Sequence, residues 1–103
     1  YVTDRSSGWV AIDLDRQGMP LRQRQFISRS VTGGGADGMQ IDHAGRLWTT
    51  SAGGIHVFSP DGEHIGFLPV ENRRGNCNFG ADGYLYVSNC ERVVRAKIKP
   101  EFA

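Results

Sequence analysis

Apolar and polar residues alternate in short runs along this chain, and glycine-containing turns part the runs: MQID, HAGR, LWTTS, AGG, IHVF, SPDG, EHIGFLPV. Alternation with period two marks a strand with one buried face, and turns this short join antiparallel neighbours. The pattern predicts strands over 1–4, 9–15 and 23–28, then 39–42, 47–51, 55–59 and 65–69, then 77–79, 84–89 and 93–98. No long segment carries a helical period.

The strands recur. MQIDHAGRLWTTSAGGIHV lies over CNFGADGYLYVSNCERVVR at an offset of 38 residues, with Met39 on Cys77, Leu47 on Leu85, Trp48 on Tyr86 and Ile55 on Val93. YVTDRSSGWVAIDLDRQG resembles the second half of the same unit, WTTSAGGIHVFSPDG, with one extra loop residue. A unit near 40 residues built of about four strands is the signature of a propeller blade. The chain therefore reads as all-β, a fragment of about two and a half blades covering approximately 1–30, 36–70 and 75–99. Because Tyr1 aligns with Trp48 and Tyr86, the innermost strand of the first blade is expected to lie outside the chain. Blades bury their faces only against neighbours, and about four to eight close a ring. Open apolar faces favour association. The expectation is self-association into a dimer or higher oligomer, or completion by a missing N-terminal half of the propeller.

Composition narrows the partners. At 103 residues and 39% hydrophobic the chain is one domain at most, with a modest core. A net charge of +1, from 12 basic and 11 acidic residues, gives no reason to expect nucleic acid or an anionic membrane. RQRQFISRS, which begins at Arg22 and has Arg16 nearby, is the outermost strand of its blade, where charge blocks edge pairing, and it lacks the interleaved aromatics of a nucleic-acid surface. The apolar runs are too short to span a membrane. The polar start YVTDRSS lacks the basic-then-apolar order of a secretory signal, so a cytoplasmic location is expected. Cys77 and Cys90 fit no CxxC or metal pattern and do not suggest a disulfide scaffold.

The string GGADGMQIDHAGRLWTTSAGGIHVFSPDGEHIGFLPV, followed by NCNFGADGYLYVSN, resembles the later part of the gluconolactonase, senescence marker protein and luciferin-regenerating enzyme family. The shared features are Gly-Gly-x-Asp-Gly-Met, a strand ending in Asp, Gly-x-Leu-Trp, a Gly-rich turn, a strand before Pro-Asp-Gly, and Asn-x-x-Phe-Gly. The resemblance implies a six-bladed propeller with one divalent cation, usually calcium, at the centre of one face, and hydrolysis of sugar lactones or related esters. It carries a metal ligand onto Asp37, whose equivalent is also proposed to take a proton from the attacking water. The family's other ligands, a glutamate in the first blade and an asparagine in a middle blade, have no counterpart here.

Propeller geometry adds its own reason for Asp37. Loops 33–38 and 71–76 enter innermost strands and face the channel mouth, where a hard cation collects oxygen ligands from several blades. The plainer reading is an Asx-turn capping the glycine loop, as Asp-Gly often does. Asp61 and Asp82 share the Asp-Gly signature and read as turn residues, and Asp42 as an acceptor of turn hydrogen bonds. Arg73, Arg74 and Asn76 are candidates for contact with an anionic or polyhydroxylated substrate; a solvated charged loop is the alternative. Asp4, Ser51 and Asn89 end second strands on the same face. His43, His56 and His64 read as surface polar residues, and Trp48 and Tyr86 as core between blades. The function expected is a metal-dependent lactonase-type hydrolase in which the cation polarises the ring carbonyl and Asp37 activates water. The alternative is a non-catalytic propeller that serves as a binding or assembly module.

Overall fold

The structure, a computed structural model, describes residues 1–71, 75–89 and 91–100. The first sheet holds β1 (Val2–Asp4), β2 (Gly8–Leu14) and β3 (Pro20–Ser28). The central sheet holds β4 (Met39–Ile41), β5 (Leu47–Ser51), β6 (Gly54–Phe58) and β7 (His64–Pro69). The third holds β8 (Cys77–Phe79), β9 (Tyr84–Ser88) and β10 (Val93–Lys97). Each is an antiparallel meander in chain order. One turn of helix, α1 (Arg29–Thr32), follows β3, capped by the Ser28 hydroxyl at its start and by left-handed Gly33 at its end. Strand alternation did not foretell that helix.

Register is the same in the central and third sheets. Met39 pairs with Thr49 as Cys77 pairs with Val87, and Trp48 pairs with Val57 as Tyr86 pairs with Arg95, each pair displaced by 38 residues. β5 alternates its side chains between two neighbours because successive residues of a strand point to opposite faces. Leu47 joins Trp9, Ile27, Ala36 and Phe58 in the core against the first sheet. Trp48 joins Ile55, Val57, Cys77, Leu85, Val87 and Ile98 in the core against the third. With a neighbour on both sides, every residue of β5 is buried, including Thr49, Thr50 and Ser51.

Polar atoms inside these cores are paired. Trp9 Nε1–H donates to Thr49 Oγ1 at 2.9 Å, and that hydroxyl donates to Gly38 O at 2.9 Å. Burying a side chain such as Leu47 or Phe58 contributes about 1.5–3 kcal/mol, so these contacts hold the sheets face to face. β3 is the edge of the first sheet, with Leu21, Arg22 and Arg24 exposed and Arg22 Nε donating to Asp13 at 2.6 Å. Charges along an edge deter pairing with another chain.

Candidate active site

The loop running from α1 into β4 carries Asp37, and a reciprocal clamp from β5 sets its backbone. Asp37 N–H donates to Thr50 O at 3.2 Å, Gly38 N–H donates to Thr50 Oγ1 at 2.8 Å, and Thr50 N–H donates to Gly38 O at 2.9 Å. The glycines before Asp37 are held the same way, with Ser51 Oγ 3.3 Å from Gly34 O, 3.1 Å from Gly35 O and 2.8 Å from Thr32 Oγ1. The backbone is thus tied down while the Asp37 side chain stays exposed.

The loop into β8 uses the same device. Asn76 N–H donates to Ser88 Oγ at 3.1 Å and Ser88 N–H donates to Asn76 O at 2.9 Å, and Ser88 stands where Thr50 stands in the central sheet. Thr50 also spans the two loops, because its Oγ1 lies 2.8 Å from Gly75 O. The loops meet closely. A Cβ on Gly38 would sit 2.1 Å from Asn76 Oδ1, so only glycine admits Asn76 beside Asp37. Asn76 Oδ1 accepts from Cys77 N–H at 2.9 Å, which orients the exposed amide. Gly75 occupies the position equivalent to Asp37, and a Cβ there would strike Ser88 O at 1.6 Å. One of the two loops therefore presents a carboxylate, and the other has no room for one. A concavity of about 300 Å³ opens beside Asn76, lined also by Gln40, Asn78, Tyr86, Ser88 and Val93.

Other candidates have structural partners. Asp4 accepts from Ser6 N–H and Ser6 Oγ, which hold its carboxyl below the usual range, and Asn89 Oδ1 accepts from Glu91 and Arg92 N–H. Both close their own turns. Asp42 is buried and accepts from Ala44 N–H, Arg46 N–H, Arg46 Nε at 2.6 Å and Trp48 Nε1 at 2.9 Å. Burial alone would raise its pKa; the bonds from Trp48, Arg46 and the backbone outweigh burial and lower it. Ser59 organises the β6–β7 turn, with Asp61 exposed in it, and Asp82 accepts from Tyr84 N–H and Tyr86 Oη–H. Arg73 and Arg74 lie outside the described residues, as does Cys90. Cys77 is a free, buried thiol.

One expectation needs correction. His56 is not a surface residue: it is 5% exposed, its Nε2 lies 2.7 Å from Ala52 O, and its Nδ1 lies 3.1 Å from His64 Nε2. Burial lowers its pKa, opposed by the bond to Ala52. β6 is buried on both sides, so its polar residue is enclosed along with its apolar ones. Trp48 is core between the central and third sheets, and Tyr86, at the equivalent position, is half-buried on the face of the third sheet turned away from the central one. Sequence reasoning missed Thr50. Its signal was three successive hydroxyl residues, Thr49 to Ser51, in a strand flanked by glycine loops on both sides.

These stacked meanders are part of a β-propeller. A solved gluconolactonase from Xanthomonas campestris superposes with a TM-score of 0.73 at 29% identity, over 90% of this chain and 29% of that one. A gluconolactonase of Zymomonas mobilis is 37% identical, over 94% of this chain and 30% of its own length. The family model for the SMP-30/Gluconolactonase/LRE-like region matches residues 1–91, and the chain belongs to that family. It spans about 30% of the length of these relatives.

The family implies a divalent metal. Among the described residues no three His, Cys, Asp or Glu side chains come together to hold an ion. What the chain offers is hard oxygen chemistry in part: the exposed Asp37 carboxylate on a pinned loop, beside the Asn76 amide. That donor type is the kind a hard cation takes.

Proposed function

We propose that the complete protein is a metal-dependent hydrolase of sugar lactones or related esters, with Asp37 as metal ligand and general base and Asn76 as a substrate contact. Arg73 and Arg74, from the sequence, are assigned the same substrate-contact role. The observation that carries this reading is the exposed Asp37 carboxylate, fixed through the Thr50 clamp and adjoined by Asn76. Calcium is the cation best matched to carboxylate and amide oxygens. When bound, it supplies polarisation of the lactone carbonyl. Asp37 takes a proton from water as the water oxygen bonds to the carbonyl carbon. The ring C–O bond then breaks and the proton passes to the departing ring oxygen, leaving a hydroxy acid.

The segments 1–30, 36–70 and 75–99 act as blades of one ring in this reading, with further blades or a second copy covering the outer faces of the first and third sheets. The test is Asp37→Ala in the complete protein, followed by calcium titration calorimetry and by lactone turnover. Loss of both is expected. Wild-type calcium affinity together with wild-type turnover would overturn the assignment.

A further inference from the structure

We infer that Thr50 is a positioning residue for the site, its single hydroxyl setting the Asp37 loop against the Asn76 loop. This rests on the role proposed for Asp37. The hydroxyl is buried, accepts from Gly38 N–H at 2.8 Å, and has one proton to give. Two carbonyls compete for that proton: Gly75 O at 2.8 Å and Gly38 O at 3.4 Å. The shorter bond takes it, so one side chain accepts from the residue after Asp37 and donates to the residue before Asn76. Thr50 N–H to Gly38 O and Asp37 N–H to Thr50 O lock the first loop in place. Ser88, at the equivalent position, clamps its own loop through Asn76. Among the described residues Thr50 therefore spans the two loops through hydrogen bonds, and the Asp37 and Asn76 side chains are both exposed.

Groups that orient metal ligands through hydrogen bonds typically contribute about 10–100-fold in affinity. In the complete protein, Thr50→Val keeps the volume and removes the hydroxyl, whereas Thr50→Ser keeps the hydroxyl. Calcium affinity, measured by calorimetry with calcium alone, should fall by about 10–100-fold in Thr50→Val and stay within about threefold of wild type in Thr50→Ser. At saturating calcium the valine variant should lose kcat more than it raises KM. Wild-type calcium affinity in Thr50→Val, alongside loss of affinity in Asp37→Ala, overturns the inference and leaves the reading of Asp37 intact. Wild-type affinity in Asp37→Ala removes both. Should Thr50→Val not fold, amide exchange in the wild-type protein decides: calcium should slow exchange of Gly38 N–H, which donates to Thr50, and an unchanged rate overturns the inference.

Discussion

The central and third sheets pair their strands in one register, yet equivalent positions carry different chemistry. Toward its next neighbour the central sheet presents Trp48, Ile55 and Val57, all buried. The third presents Tyr86, Val93 and Arg95 at those positions, and the Arg95 guanidinium lies 4.1 Å over the Tyr84 ring. Each large ring finds a carboxylate for its polar atom. Trp48 Nε1 uses Asp42, after β4, and Tyr86 Oη uses Asp82, within the following turn. At the inner loops the exchange is sharper: Asp37 and Gly38 in one copy, Gly75 and Asn76 in the other. A repeated backbone thus supplies equivalent sockets, and a change of one or two residues decides whether a socket presents a carboxylate, presents an amide or closes.

The strongest way to break this comparison is to empty the carboxylate socket. Asp37→Ala should reduce turnover by about a thousandfold in the complete protein, the range for a lost general base, while Asp82→Ala leaves turnover unchanged. Parallel kcat measurements on the two variants check it. If both lose activity alike, the sockets are not distinct.

Next in size is the ring-capping pair. Asp42→Ala removes the buried carboxylate that accepts from Trp48 Nε1–H and Arg46 Nε–H and should cost about 3 kcal/mol in denaturant unfolding. Asp82→Ala, at an exposed turn, should cost much less. Acid gives a second check. The lowered Asp42 pKa means its contribution is fully present above the ordinary carboxylate value of 3.8 and is lost as pH falls below that through the folded value. Asp42→Asn should remove that part of the acid sensitivity.

Moving the carboxylate tests the closed socket. Gly75→Asp should lower stability by about 1–3 kcal/mol, the scale of forced backbone strain, and create no second calcium site. Thermal unfolding with a calcium titration measures both. Smallest of all, Ser88→Ala removes one hydroxyl clamp, worth about 1 kcal/mol. It should raise KM through Asn76 and leave calcium affinity alone.

The strands, their turns and their register were readable because alternation and glycine punctuation are local properties. Burial across sheets was not. His56 looks polar until β6 acquires neighbours on both faces. Asp37 is a candidate on its Asp-Gly context and the family likeness. Thr50 was not legible, since its role depends on Gly38 and Gly75, the latter 25 residues away, meeting at one hydroxyl. The exclusion of a side chain at Gly75 was likewise hidden, because the obstacle is the Ser88 carbonyl on another strand.

Cys77 turns the seam between the central and third sheets into a chemical clock. It is 3% exposed, burial pushes its thiol up to about 11, and Sγ lies 3.8 Å from Trp48 O. At neutral pH only about one such thiol in ten thousand is thiolate, and a reagent cannot reach it while Trp48 and Leu85 stay packed. In a Cys90→Ser background, the rate at which an excess of thiol reagent consumes the protein therefore times the parting of the two sheets on either side of that seam.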